Sequence, residues 1–164
     1  DSARGVPFSA ALASLSAVAP SPLQITPTEG KAAQWQSDTI LTTAMSFSVS
    51  AADLESIAST FSLERRNDRD SLDAELVCSE MKVGRDKQPS WFGEWEGVEP
   101  IAIACEETGG NGYALYLLGV GDSNGGVRVF LKLDTWPKPW GTKEARKSYF
   151  WLSPQNSTPG NQDF

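Results

Sequence analysis

The chain has 164 residues, of which 40% are hydrophobic, with six Trp and seven Phe. That is enough apolar material for one packed domain and too much for global disorder. A net charge of −7 excludes a broadly basic nucleic-acid binder, although one small patch can still meet nucleic acid. Histidine is absent, which removes the commonest general base and metal ligand and, with them, most hydrolase and zinc schemes. No cofactor is expected.

Residues 1–34 are small and polar, with Pro20, Pro22 and Pro27 and charges that cancel. Such a composition predicts an extended arm. Val6, Phe8, Leu12, Leu15, Leu23 and Ile25 are spaced anchors that a solvated linker would not need, so the arm is expected to order on neighbouring chains.

The folded domain is expected over residues 35–153, followed by a polar tail over 154–164. In residues 39–49, Leu41, Met45, Phe47 and Val49 alternate with Thr42, Ala44, Ser46 and Ser48, the period of a strand with one apolar and one small polar face. Ser50 is placed as an N-cap, with Asp53 three residues on, ahead of Leu54, Ile57, Ala58 and Phe61 at helical spacing. A short strand is expected around Phe61 and Leu63. The charged residues 65–73 then read as an exposed loop. Asp68, Asp70 and Asp73 lie there without the spacing or closing Glu of a calcium loop.

Residues 74–83 are read as a strand. Trp91, Phe92 and Trp95 follow, interleaved with Glu94, Glu96 and Glu99. They are read either as aromatic packing at a sheet rim or as a surface contact, and two of the acids as a minor glycan-cleaving alternative. Ile101, Ile103 and Cys105 alternate with Ala102, Ala104 and Glu106, giving a further one-sided strand.

Residues 113–140 carry the strongest pattern. Tyr113 to Val120 is almost continuously apolar, so both faces should be covered. Val127, Val129, Leu131 and Leu133 alternate with Arg128, Lys132 and Asp134, predicting one buried and one wet face. Asp122, Asn124, Gly125 and Gly126 between them suit a tight reversal, and Pro137 and Pro139 end the ladder. An aromatic last strand is expected over residues 149–152. Asn156 opens a glycosylation acceptor that matters only on a secretory route. Cys78 and Cys105 lie on two of the expected strands and read as two buried thiols, or as one disulfide in an oxidising compartment. The longest apolar run falls short of the roughly 18 residues of a membrane span, so no membrane partner is expected.

Many short strands, one short helix and no βαβ alternation predict an all-β fold, an antiparallel β-sandwich of jelly-roll type with an extended N-terminal arm. At this point a family resemblance enters. Trp35-x-Ser37-x-Thr39-Ile40 opens the first long strand, and Val129-x-Leu131-x-Leu133-Asp134, then Trp136-Pro137 and Gly141, close the domain. In this order the chain resembles the small coat proteins of picorna-like plant viruses, the secovirid group. The resemblance implies a structural subunit of an icosahedral capsid that does no chemistry and assembles with other capsid protein subunits. It implies a shell around genomic RNA, a virion location after assembly in the host cytoplasm, and release from a polyprotein in place of an initiator Met. The competing reading is a secreted or periplasmic binding protein, such as an inhibitor or immunity protein, that uses residues 91–99 as its contact.

Overall fold

The computed structural model describes residues 3–69, 74–108, 112–137 and 145–154. Their elements are β1 (Arg4–Gly5), α1 (Phe8–Val18), β2 (Thr28–Ser37), β3 (Ile40–Val49), α2 (Ala51–Thr60), β4 (Glu64–Arg66), α3 (Ala74–Lys82), a 3-10 turn (Ser90–Gly93), β5 (Ala102–Thr108), β6 (Tyr113–Gly121), β7 (Val127–Thr135) and β8 (Ala145–Leu152). The strands form one eight-stranded sheet in the order β1-β2-β3-β7-β6-β5-β8-β4. Neighbours are antiparallel except β4, which runs parallel to β8.

The central hairpin forms as its sequence predicts. Leu117 stands opposite Leu131 and Gly121 opposite Val127. The turn closes through the Asp122 N–H to the Gly126 carbonyl and the Gly125 N–H to the Asp122 carbonyl, both at 3.0 Å. Gly125 supplies φ +91°, open to glycine at no steric cost. β3 and α2 also match. Ser50 caps α2 by accepting from the Asp53 N–H at 3.1 Å, and Leu54, Ile57 and Ala58 turn onto the sheet.

The sheet has two covered faces. On one, α1, α2 and the residue that follows α2 lay Ala11, Leu15, Leu54, Ile57 and Phe61 over Met45, Phe47, Leu117, Val129 and Leu131. On the other, α3, the 3-10 turn and the loop after it lay Val77, Met81, Phe92 and Trp95 over Ala44, Ile103, Cys105, Tyr116 and Phe130.

The chain is thus sheet-rich, but the expected two-sheet jelly roll gives way to one sheet between helices. The physical reason lies in two segments that the sequence reading assigned otherwise. Residues 8–18 are helical because Phe8, Leu12 and Leu15 recur at helical spacing, with Ala and Ser between them in place of helix breakers. Residues 74–82 are helical because Val77 and Met81, four apart, are the inward pair, whereas a strand would have alternated. With those two stripes available, each face of the sheet finds a helical cover and needs no second sheet.

The extended arm over 1–34 is corrected by the same finding. β1 pairs with the outer edge of β2, α1 sits in the core, and β2 itself begins at Thr28. Leu15 is fully buried, while Val6, Phe8, Leu12, Leu23 and Ile25 pack partly buried against the same cluster. Gly30 is required here, since a Cβ would stand 2.3 Å from the Phe8 ring. The expected strand around Phe61 and Leu63 starts later, at Glu64. Ser62 turns the chain at φ +54° after α2. β4 is held on β8 by Arg65 over Phe150 at 5.2 Å and Arg66 over Tyr149 at 5.9 Å.

Candidate functional site

The chemistry-bearing side chains converge between α3 and the sheet, at the end where β6 begins and β7 ends. The register dictates the grouping. Ala44, Lys132, Tyr116, Cys105 and Tyr149 stand in one cross-strand row, and Thr42, Asp134, Ala114 and Glu107 in the next. All project to the α3 face, so α3 closes over a mixed polar and apolar bed.

Lys132 is the centre of this bed and only 1% exposed. Its Nζ donates to the Glu80 carbonyl at 2.6 Å and the Val83 carbonyl at 3.4 Å. The Asp134 carboxylate is 3.9 Å away, fixed by a 2.7 Å hydrogen bond from the Thr42 hydroxyl. Tyr116 donates to Glu107 at 2.6 Å. On the opposite face of the same hairpin, Tyr113 donates to Glu106 at 2.5 Å. Each glutamate reaches the tyrosine diagonally across the β5–β6 pair, a separation long side chains span.

Burial sets the protonation of these groups. Loss of solvent pushes the Lys132 ammonium down from its ordinary value against the pull of Asp134 and Glu80. It pushes Glu80 and Glu106 up. The Tyr113 and Tyr116 phenols are driven above their ordinary range by burial and by the carboxylates they serve.

A buried amine of lowered basicity beside carboxylates and phenols resembles a proton-transfer or nucleophilic set. Its geometry assigns another role. The amine spends its donors on carbonyls of the last turn of α3 and the residue beyond it, where a helix has orphan acceptors and a negative dipole end. Gln88 serves the Met81 carbonyl of that same end at 2.7 Å. Lys132 therefore seats and caps α3 on the sheet.

The residues singled out from the sequence fall elsewhere. Phe92 is fully buried, Trp95 is 8% exposed, and Trp91 is half-buried against the same cluster. Phe92 and Trp95 are thus aromatic packing, while Glu94 and residues 97–99 of the same run are exposed. Glu96 pairs with Arg85 and Glu99 with Arg69. Cys78 and Cys105 are not joined in a disulfide, and Cys78 is on α3, not on a strand. Among the described residues no group of three or more Cys, Asp or Glu is arranged to hold a metal; Asp70 and Asp73 lie outside them, as does Asn156. No helix among them is long and apolar enough to cross a membrane.

Lys132 was missed as a buried group because its alternation with Val129, Leu131 and Leu133 reads as a wet face. The one signal that bears on it is the helical spacing of Val77 and Met81, which places a cover above that face. A hydroxyl-lined crevice of about 430 Å³ opens at the α2 N-terminus, between Thr26, Ser50 and Asn124. Beside it Ser48 donates to Asp122 at 2.5 Å and accepts from Arg128 at 3.1 Å.

Comparison with models of protein families, with curated proteins and with solved structures returned no match.

Proposed function

We propose that this chain is a structural subunit, which works by packing against other protein chains and not by catalysis. The observation that carries the reading is the commitment of the candidate site to the fold. Lys132 is bound to the end of α3, Tyr116 to Glu107 and Asp134 to Thr42, with the amine sealed from solvent. Groups spent in this way hold elements together.

Within that class, the specific proposal is a coat-protein subunit of an RNA-virus shell, assembling with other capsid subunits around the genome. Its support is the pair of short motifs at the two ends of the domain. They meet in space: Leu41 stands opposite Thr135 and Thr42 opposite Asp134, beside the turn between Ser37 and Ile40. The single helix-covered sheet is not the jelly roll of that group, so the proposal rests on the motifs and on the committed interior.

The test is sedimentation and negative-stain electron microscopy of the purified chain, alone and with a single-stranded homopolymer RNA. Oligomers or closed particles are expected. A chain that stays monomeric at every concentration, with and without RNA, overturns the proposal.

A further inference from the structure

We propose that residues 3–28, carrying β1 and α1, exchange between two copies of this chain, each seating its N-terminal unit on the other's sheet. Four features of the fold point to it. The unit is joined to the body by residues 19–27, which form no helix or strand and contain Pro20, Pro22 and Pro27. Few hydrogen bonds tie this connection to its own body: Ser21 to the Thr60 carbonyl, Thr60 to the Pro22 carbonyl, and the Thr26 N–H to Asp53.

Strain is concentrated where the connection enters the sheet. Glu29 lies at φ +54°, a conformation that costs a side chain with a Cβ. The β2–β3 register shifts between Thr28 and Lys31 at the same place. Extension at Glu29 releases both, and carries the unit away from its own body.

What the departing unit uncovers fits one occupant. β1 satisfies the outer edge of β2 through the Arg4–Gln34 and Gly5–Ala33 pairs and the Val6 N–H to Ala32 carbonyl bond. Phe8 covers Gly30 and packs on Phe47 with ring centroids 5.5 Å apart. Leu15 fills the core. A second copy offers the same strand, ring and helix, so reciprocal exchange remakes every contact and closes on itself. The open edge strand left otherwise invites uncontrolled pairing.

The inference does not depend on the shell reading. It is tested in a chain whose two native cysteines are replaced (Cys78→Ala, Cys105→Ala), by mixing two variants with one cysteine each, Arg4→Cys and Gln34→Cys, passing them through intermediate denaturant and oxidising them. Exchange yields a covalent heterodimer joining position 4 of one chain to position 34 of the other, at the mass of two chains. The double variant held dilute cross-links within one chain and serves as control. Glu29→Gly, which removes the strain, is expected to shift the population several-fold toward monomer, with Glu29→Asn as a second variant that tolerates the same φ. A mixture without the heterodimer, a dimer lacking the 4-to-34 bond, or a Glu29→Gly dimer fraction equal to or above the parent's would overturn the proposal.

Discussion

The two faces of the sheet are built on opposite terms. The face under α1 and α2 is mostly apolar, from Met45 and Phe47 through Leu117 and Val129 to Leu131 and Leu133, with Thr43 and the Tyr113–Glu106 pair buried among them. The face under α3 has Thr42, Ser46, Ser48 and Lys132 sealed into it, of which the Ser46 hydroxyl has no hydrogen-bond partner among the described residues. The first face holds mainly by area removed from water, a term indifferent to direction. The second holds because particular donors meet particular carbonyls, so its cover is specified and costly to disturb.

Breaking the first face should have the largest effect. Removing residues 3–18 opens the β2 edge and the core together, and loss of a cooperative melt is expected by circular dichroism. Leu15→Ala alone should cost about 2–5 kcal/mol in denaturant unfolding. If the truncated chain melts like the parent, α1 is not part of the core.

On the second face, Lys132→Ala should cost about 3 kcal/mol, since it empties a packed site and orphans the acceptors of α3. Lys132→Met fills the volume and avoids burying a charge, so its cost should fall to about 1–3 kcal/mol, the penalty of unserved carbonyls. A Lys132→Met variant as stable as the parent would show that the amine does not cap α3. Ser50→Ala, at the helix covering the apolar face, should cost about 1 kcal/mol.

The smallest effect concerns pH. Burial raises Glu106 above its ordinary value, so the folded chain binds this proton more readily than the unfolded chain. The contribution is present below the unfolded pKa and is lost as pH rises through the folded one. Glu106→Gln should therefore raise the melting temperature at pH 7 relative to the parent, with the gain vanishing toward acid. A gain that grows on acidification contradicts the assignment.

The sequence by itself determined the strands that alternate and the helix that carries its own cap. The β6–β7 hairpin, β3 and α2 were legible because a period of two, Asp122 to Gly126, and Ser50 with Asp53 are local signals with local causes. Of the candidate site, the tyrosines and glutamates were visible as residues, but not as partners, because diagonal pairing across β5 and β6 depends on register. Tertiary structure alone decided the rest. Residues 1–34 look too poor in apolar side chains for a core, yet Ala11 and Leu15 gain theirs from β2 and β3. Lys132 and Thr42 belong to a face that alternation assigns to water. Lys132 is buried because α3, whose Glu80 is 52 residues away in sequence, closes over it, and Thr42 is buried beside it against Asp134. Local patterns record which side chains a strand turns each way, but the cover over a face comes from distant parts of the chain, and only packing reveals it.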